Sequence, residues 1–395
     1  MKILFLDQSN QIGGAELSLL DIAGAYRNES LVSLFAGGPY EQLLNQHHIP
    51  VKVLTSAPFK VRKNSHAWES LSSIKPLTQM ATQVAQLSRH YDLIYANTQK
   101  ALVVGALASL ISRRPMIYHL RDILSSAHFS RFNRQLLVGL ANCFATRVIT
   151  NSQATRAAFG AAGGHLDRAT VIYNGFDVTQ YQNLTASRWQ LREQLNLTNQ
   201  FVVGHFSRLS PWKGQHVLLE ALPQCPKNTI VLLVGEALFG EQAYVQQLRQ
   251  QVKTLGLEQQ VRFLGFRADI PALMSACDLI AHTSVAPEPF GRVIVEGMLC
   301  SKPVIATAAG GAIELIEHEN TGWLTSPGDA ETLARVVNRC YHQPHMATAI
   351  GQRAQQVASQ RFDLNTMLQT IDQLVGDVVR PDRRLLNQHL SQRYL

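Results

Sequence analysis

Two glutamates, Glu288 and Glu296, belong to a segment in which a loop containing proline and glycine leads into a predicted amphipathic helix. Glu288 precedes that helix and Glu296 lies within it, so both side chains can face one pocket. Carboxylates repel phosphate and pair with hydroxyls, whereas the backbone N–H groups near Phe290 and Gly291 at the helix start favour an anion. The segment therefore predicts a ligand that carries both hydroxyl groups and a diphosphate. Two glutamates at this spacing are weak evidence alone, and the surrounding loop and helix make the prediction specific.

Two cations, Arg208 and Lys213, follow the apolar run FVVGHF in a loop that opens another helix. A planar guanidinium, an ammonium and a row of backbone donors together suit a diphosphate. Ordinary surface charge would give the same pair of residues. Their position directly after a predicted buried strand favours binding.

The N-terminal half contributes two weaker candidates. Gly13 and Gly14 follow the first apolar run and let the backbone approach a ligand at a helix start, although a tight turn would use the same glycines. The segment is not GxGxxG and no acidic residue closes a second strand at the right distance, which disfavours a nicotinamide cofactor. His119 ends a predicted strand beside Arg121 and Asp122, and it is a candidate catalytic residue or a structural histidine.

Short apolar runs alternate with helical patterns twice along the chain, and this alternation predicts the elements that position these residues. Such a pattern is typical of parallel, doubly wound α/β sheets, and two series predict two Rossmann-like domains. Ligands of such sheets bind beyond the carboxyl ends of the strands, so two facing domains would share a central cleft. The polar stretch 180–198 predicts the junction, with domains at residues 1–185 and 186–362.

Composition describes a globular protein of 395 residues with 46% apolar content. No apolar run reaches the roughly 18–20 residues of a membrane-spanning helix, and the N-terminus predicts a buried strand and no signal peptide. The cysteines lack any CxxC pair, which argues against a zinc site or a disulfide framework and favours the cytoplasm. These cysteines are Cys143, Cys225, Cys277, Cys300 and Cys340.

The positive charge is concentrated in the first half of the chain. Residues 1–185 hold 17 Lys/Arg against 10 Asp/Glu, and residues 186–395 hold 19 against 18. This bias favours an anionic or lipid-linked partner, although a solvated basic face explains it equally. Residues 58–68 and 130–147 mix basic and apolar side chains and suggest peripheral contact with the inner face of the plasma membrane. No basic helix interleaved with aromatic residues supports nucleic-acid binding.

The motifs in order are GGAE, NGFD, SRLSPWKG, EPFGRVIVEGM and a closing series of GG, Glu314, TGWL and PGD. Together they resemble the large family of retaining glycosyltransferases with the GT-B fold, over nearly the whole chain. The resemblance implies a retaining hexosyltransferase that uses a nucleotide diphosphate sugar, without a metal and without a cofactor, in polysaccharide or glycolipid biosynthesis. It also implies that the segment 363–395 supplies a helix returning to the first domain, followed by a basic tail.

The resemblance assigns roles to individual positions. Gly13 and Gly14 match the glycine loop near donor phosphate and acceptor, and His119 matches a histidine near the transferred sugar. Arg208 and Lys213 match the pair that neutralises the diphosphate.

In the second domain the resemblance assigns Glu288 to the sugar hydroxyls and Glu296 to the ribose. Phe290 and Gly291 match the loop whose backbone contacts the donor. Arg292 stands where many members carry leucine, and it is counted with the donor-binding residues.

Two alternatives remain at this stage. A sugar-nucleotide epimerase would use the same fold but needs several acid and base groups, of which only His119 is a clear candidate. A non-catalytic protein that binds sugar nucleotides would keep the fold without the reaction, although such a protein is free to lose Arg208, Lys213, Glu288 and Glu296.

Overall fold

The computed structural model describes residues 1–54, 67–126, 129–238 and 240–380, with side chains in the helix that begins at Ala67 described from residue 76 onward. The chain divides into two compact units. The N-terminal unit comprises Met1–Gly175 together with the segment from Asn365 onward, and the C-terminal unit is Phe176–Leu364.

Seven described strands of the N-terminal unit form one parallel sheet in the order β3-β2-β1-β4-β5-β6-β7. Most of these strands are buried along their length, as expected for parallel strands covered by helices on both faces. This double burial explains why they read as continuous apolar runs in the sequence. The strands are β1 Ile3–Asp7, β2 Ser30–Leu34, β3 Val51–Val53, β4 Leu93–Ala96, β5 Met116–Leu120, β6 Arg147–Thr150 and β7 Ala169–Val171.

Helices lie between these strands in the chain and supply the crossover connections that parallel pairing requires. The described helices are α1 Gly14–Ala25, α2 Pro39–Gln46, α3 Ala67–Ser88, α4 Gln99–Ser112, α5 Arg131–Phe144 and α6 Gln153–Ala161, with a 3-10 turn at Leu166–Arg168.

Six described strands of the C-terminal unit form a second parallel sheet in the order β10-β9-β8-β11-β12-β13. Counted within the unit this is again the order 3-2-1-4-5-6, the arrangement of a Rossmann fold. The strands are β8 Phe201–Phe206, β9 Thr229–Val234, β10 Val261–Gly265, β11 Leu279–His282, β12 Val304–Thr307 and β13 Trp323–Thr325. The predicted α/β class with two Rossmann-like domains is therefore confirmed.

The helices of the C-terminal unit lie between and after these strands. They are α7 Thr185–Gln194, α8 Gln215–Ala221, α9 Gln242–Thr254, α10 Ile270–Ala276, α11 Arg292–Leu299, α12 Ala312–Leu315, α13 Ala330–His342 and α14 Pro344–Arg361. Short 3-10 turns occupy Val178–Tyr181, Pro211–Lys213 and Leu222–Gln224. Among the described residues, no helix combines the length and the hydropathy needed to cross a bilayer.

The polar stretch 180–198, expected as the junction, belongs to the C-terminal unit, because the division falls after Gly175. The stretch contains the end of the 3-10 turn Val178–Tyr181 and all of α7. Arg188 and Arg192 of α7 both pair with Asp278, at 3.0 and 3.2 Å, just before β11. These ion pairs tie α7 to the second sheet.

The last described helix, α15 Leu364–Val379, packs with the N-terminal unit although it follows the second domain in the chain. Tyr26 donates a 2.8 Å hydrogen bond from its hydroxyl to Asp372, and the Gly175 N–H lies 2.9 Å from the sulfur of Met367. The basic tail expected after this helix falls at residues 381–395, outside the described residues.

Candidate active site

Each sheet reverses its strand order once, between β1 and β4 in the N-terminal unit and between β8 and β11 in the C-terminal unit. Open α/β sheets bind ligands outside the carboxyl ends of the strands at this switch point. In the C-terminal unit the carboxyl end of β8 leads to Arg208 and Lys213, and that of β11 leads to Glu288. Most of the predicted donor site therefore lies where the topology favours a ligand.

The loop after β8 is held tightly against the loop after β11 by Gly214. This residue has a left-handed φ of 70°, and a Cβ there would lie 1.9 Å from the Thr283 carbonyl oxygen. Thr283 also donates from its hydroxyl to the Gly214 carbonyl at 2.7 Å. A side chain at position 214 would separate the loops, so glycine is required for Lys213 to reach its partner.

Glu288 is almost fully buried and receives three polar groups at its Oε2 atom. Lys213 Nζ donates at 2.7 Å, Ser284 Oγ donates at 3.1 Å, and His282 Nε2 lies at 3.1 Å. Lys213 Nζ also lies 3.9 Å from the centre of the Trp212 ring. Within the described part of the chain, none of the recorded contacts of this carboxylate involves Oε1.

These contacts determine the protonation state of Glu288. Burial raises its pKa, but the charge of Lys213 and the hydrogen bond from His282 outweigh burial, so the pKa lies below its ordinary value. The carboxylate is therefore ionised at neutral pH and can only accept hydrogen bonds.

The backbone of Glu288 is fixed by two glycines that follow β12. The Gly311 N–H donates to the Glu288 carbonyl at 2.7 Å, and Gly310 pairs with Glu288 in an isolated parallel bridge. Gly310 has a φ of 66°, and a Cβ there would lie 2.3 Å from the Glu288 carbonyl oxygen. The glycine pair, which is the GG of the closing motif series, thus supports the position of Glu288.

Phe290 and Gly291 form the turn into α11, as the sequence predicted for this segment. Phe290 is buried, with its ring 6.5 Å from Phe176 and 5.9 Å from Phe362 between centroids. Gly291 caps α11 in the left-handed conformation, with a φ of 101°. The rings anchor the start of α11, where backbone N–H groups remain for an anion.

Glu296 has a different partner from Glu288. Its Oε1 lies 3.5 Å from Arg292 Nε one helical turn earlier, and the Arg292 guanidinium lies 4.5 Å from the centre of the Phe176 ring. Burial raises the pKa of Glu296, and Arg292 only partly opposes this. The two predicted glutamates are therefore equally buried but paired with separate cations.

Arg208 is more exposed than the two glutamates, with 30% of its side chain accessible. Its Nε lies 3.9 Å from Glu241 Oε2. Glu241 accepts a 2.6 Å hydrogen bond from Ser210 Oγ. The structure thus brings Lys213 and Glu288 into direct contact and places Arg208 beside Glu241.

The switch point of the N-terminal unit holds a buried polar network behind Gly13 and Gly14. Asn97 donates to Asp7 at 2.7 Å, and Arg121 donates to Asn97 at 2.8 Å from its Nε. Arg121 Nη1 also donates to Ser18 Oγ at 2.8 Å and to Asn174 Oδ1 at 2.9 Å. One guanidinium therefore links the carboxyl ends of three strands to α1.

Gly13 caps α1, and Gly14 is its first residue. The Gly13 backbone is extended, with a φ of −141°, and a Cβ there would lie 2.8 Å from Glu16 Oε2. Burial, reinforced by the charge of Asp7, raises the pKa of Glu16 to about 7, and burial raises that of Asp7 to about 6. Gly13 thus lies against Glu16, one of two neighbouring carboxyl groups whose pKa values are raised by burial.

His119, the predicted catalytic histidine, lies within β5 and is 1% exposed. Its Nδ1 lies 2.5 Å from the Tyr95 hydroxyl, and its Nε2 has no hydrogen-bond partner among the described residues. Burial and the nearby Arg121 lower its pKa well below the ordinary value, so the ring is neutral at pH 7.

Of the two segments that mix basic and apolar side chains, 130–147 is described by the structure and 58–68 largely is not. The segment 130–147 contains α5, in which Phe132 is 72% exposed and Leu136 is 43% exposed, near Arg131 and Arg134. Nearly all of the segment 58–68 lies outside the described residues, and no side chain in it is described.

Several polar residues of these sites were not predicted from the sequence. His282 and Ser284 contact Glu288, and Asp7 and Asn97 lie under the glycine loop. Each follows or ends a buried strand, which is the signal that could have identified them. His282 is the clearest case, because a histidine ends the apolar run LIAH.

The sequence matches the family Glycosyltransferase Family 4 over residues 12–180 and the family Glycosyl transferases group 1 over residues 187–357. The solved structure of Anabaena Alr3699/HepE in complex with UDP-glucose is 56% identical, with a TM-score of 0.90 over 95% of this chain and 100% of that chain. Sucrose-phosphate synthase from Thermosynechococcus elongatus shares the fold at 20% identity, with a TM-score of 0.80 over 98% of this chain and 99% of that chain.

A curated relative is the GDP-mannose-dependent alpha-(1-6)-phosphatidylinositol monomannoside mannosyltransferase of Mycolicibacterium smegmatis. It is 27% identical over 294 residues, which is 70% of this chain and 76% of that protein. The family matches, the two Rossmann-like sheets and the similarity to solved glycosyltransferases agree with one another. The chain belongs to the GT-B glycosyltransferases of the group 1 and family 4 type.

Proposed function

We propose that this glycosyltransferase moves a hexosyl group from a UDP-sugar to an acceptor hydroxyl, with retention of anomeric configuration and without a metal ion or cofactor. The contact of ionised Glu288 with Lys213 at the β8–β11 switch point carries the proposal. The 56% identity to a protein solved with UDP-glucose makes that donor the first candidate.

Different residues of the site bind different parts of the donor. Glu288 accepts hydrogen bonds from the sugar hydroxyls at its Oε1, while Lys213, Ser284 and His282 hold its Oε2. An ammonium has three donors, so Lys213 can serve Glu288 and the diphosphate together. Glu296 binds the ribose hydroxyls, and the backbone at Phe290 and Gly291 meets the diphosphate.

The reaction needs charge stabilisation at the departing diphosphate more than it needs an acid and a base. The bond between the anomeric carbon and the diphosphate oxygen breaks, and a bond from that carbon to the acceptor oxygen forms on the same face. The acceptor proton passes to the departing phosphate oxygen. Arg208, Lys213 and the start of α11 stabilise the negative charge that develops there, which is work a divalent cation does in other transferases.

The test measures UDP release from UDP-glucose, with GDP- and ADP-sugars as comparisons, for the wild type, Glu288→Gln and the exposed-site control Glu258→Gln. We expect Glu288→Gln to lower the rate by about 10²–10³-fold, the usual effect of removing one preorganised polar contact. Glu258→Gln should retain the wild-type rate, and chelation with EDTA should leave both rates unchanged. Proton NMR of the first-formed sugar should show the α anomer.

Each part of the proposal can fail separately. Equal rates for Glu288→Gln and the wild type would remove Glu288 from the site, and a β product would exclude retention. Loss of activity in EDTA, restored by a divalent cation, would exclude a metal-free reaction. Conversion of UDP-glucose to another UDP-hexose without UDP release would instead identify an epimerase.

For the acceptor we propose a glycan or a lipid-linked or anionic molecule, met at the membrane surface by α5. Phe132 and Leu136 are exposed apolar side chains beside Arg131 and Arg134, the combination found in helices that lie on anionic membranes. Co-sedimentation with phosphatidylglycerol vesicles should be lost in Phe132→Ser and retained with Leu255→Ser, an exposed leucine of the other unit. Equal sedimentation of both variants would refute the contact through α5.

A further inference from the structure

A cavity in the C-terminal unit has a volume of about 390 Å³, within the range of small-molecule sites. The lining comes from the segment before and within α7, from the turn after α11, and from α10 and α14. The lining includes Asn183, Thr185, Arg188, Cys300, Lys302 and Gln355.

This cavity lies near the amino ends of the strands, whereas the donor residues lie near their carboxyl ends. Lys302 comes just before β12, and Asp278, which pairs with Arg188, comes just before β11. Both positions are at the amino ends of strands, whereas Arg208 and Glu288 follow the carboxyl ends of β8 and β11. The cavity is therefore separate from the donor site.

Lys302 is the feature that points to a ligand. The residue is 8% exposed, and its ammonium makes no hydrogen bond or ion pair with the residues that the structure describes. A charge that is largely buried and makes no hydrogen bond is costly, and it is normally paired or relieved by a bound group. Burial, followed by the charge of Arg188, lowers the pKa of Lys302 to about 8, which leaves it mostly protonated at neutral pH.

The neighbouring ion pairs compensate this positive charge only in part. Arg188 and Arg192 both bind one carboxylate, that of Asp278. Arg192 has further acceptors in backbone carbonyls, including Ala276 at 2.8 Å, and Asp278 also accepts the Val202 N–H at 2.9 Å. The charge of Asp278 also favours the protonated form of Lys302, so one carboxylate serves two guanidiniums and an ammonium, and positive charge is in excess here.

We propose that this cavity binds a small phosphorylated metabolite, with the phosphate between Lys302 and Arg188. A phosphate oxygen is a strong acceptor for both an ammonium and a guanidinium. The remaining lining supplies the Thr185 hydroxyl and the amides of Asn183 and Gln355, which can bind hydroxyl groups of the rest of the molecule. The shared chemistry also admits inorganic phosphate, and the experiment separates the two.

The experiment is isothermal titration calorimetry with glucose 6-phosphate, glycerol 3-phosphate, inorganic phosphate and glucose. We expect at least one organic phosphate to bind the wild type and glucose not to bind. Lys302→Met, which keeps the chain length and removes the charge, should weaken binding by ~10-fold or more. Lys302→Arg should restore part of it, and Lys227→Met, at an exposed lysine of the same unit, should change nothing.

A donor-site variant, Arg208→Ala, distinguishes this cavity from the diphosphate site and makes the test independent of the proposed transfer reaction. Binding kept in Arg208→Ala and lost in Lys302→Met supports the proposal, and the reverse pattern overturns it. Absence of binding by every phosphorylated probe also overturns it. If inorganic phosphate alone binds, or binds as tightly as the organic phosphates, the proposal that the ligand is a phosphorylated metabolite is refuted. If Lys302→Met does not fold, Lys302→Gln replaces it, and the same loss of binding is expected.

Discussion

Glu288 and Glu296 show how two identical side chains at similar depth acquire different chemistry from their contacts. Lys213 lies 2.7 Å from Glu288, whereas Arg292 lies 3.5 Å from Glu296. The pKa of Glu288 is lowered and that of Glu296 is raised, because the closer cation and the His282 hydrogen bond overcome burial only at Glu288. Glu288 is therefore a fixed hydrogen-bond acceptor, which suits recognition of sugar hydroxyls and not proton transfer.

At Glu16 the same physics gives a pH dependence of stability. Its folded-state pKa of about 7 lies above the ordinary value of 4.5 because of burial and the charge of Asp7. The contribution of protonated Glu16 to the free energy of unfolding is therefore fully present below pH 4.5, and it is lost as the pH rises through 7. We expect Glu16→Gln to stabilise the protein at pH 8 by about 1–3 kcal/mol and to have little effect at pH 4.5.

Urea unfolding at the two pH values checks this expectation. Asp167→Asn, the same change from acid to amide at an exposed site of the same unit, is the control. A Glu16→Gln variant that is less stable than the wild type at pH 8 would show that the carboxylate is stabilised by a partner and not strained by burial.

At the residue scale, the sequence predicted side chains within one motif but not contacts between distant motifs. Glu288 was predicted because its own loop and helix are visible in EPFGRVIVEGM. The link from Asp7 to Asn97 was not, because it spans 90 residues and depends on the pairing of β1 with β4. Periodicity identifies a strand but does not identify its neighbour.

Two glycines of the C-terminal unit offer a test at the scale of a loop. Gly310 and Gly328 both have positive φ, at 66° and 76°, so alanine at either position costs about 1–2 kcal/mol in backbone strain. At Gly310 the new Cβ would also lie 2.3 Å from the Glu288 carbonyl oxygen, whereas at Gly328 it meets nothing within 4 Å. We expect Gly310→Ala to be less stable than Gly328→Ala by a further ~1–3 kcal/mol.

The same pair of variants separates stability from activity. Moving the Glu288 backbone should lower UDP release about 10- to 100-fold in Gly310→Ala, because small misplacements of a binding group are costly. Gly328→Ala should retain the wild-type rate at a temperature at which both variants are folded. Equal rates in the two variants would mean that the Gly310 contact does not position Glu288.

At the scale of elements, the strands were predicted from a local signal, whereas the contacts of the polar stretch 180–198 were not. A strand buried on both faces is apolar throughout, and this signal is local. The helix α7 is largely polar and exposed, so its sequence resembles a linker. What fixes it to the second sheet is the pairing of Arg188 and Arg192 with Asp278, which lies more than 80 residues later in the chain.

Across the whole molecule, both units use the strand order 3-2-1-4-5-6, with one further strand, β7, at the edge of the first sheet among the described residues. This common order explains why the chemistry-bearing residues of each unit cluster at one switch point. It also leaves the amino edge of the second sheet available for the cavity that contains Lys302.

The helix α15 makes the stability of the N-terminal unit depend on residues that follow the C-terminal unit in the chain. Ile371 of α15 is fully buried, and the next residue, Asp372, accepts the hydrogen bond from Tyr26. We expect Ile371→Ala to destabilise the N-terminal unit by about 2–5 kcal/mol through the cavity that it leaves. Hydrogen exchange should show lower protection in β1 and β4, with β8 and β11 unchanged.

Gln369→Ala, at an exposed position of the same helix, should leave protection unchanged throughout and controls for altered helix propensity. Loss of protection confined to β8 and β11 would show that α15 does not stabilise the N-terminal unit. Equal loss in both units would show that they unfold together. Loss confined to the N-terminal unit would mean that this domain is completed only by the last described helix, and that truncation before residue 365 exposes its core.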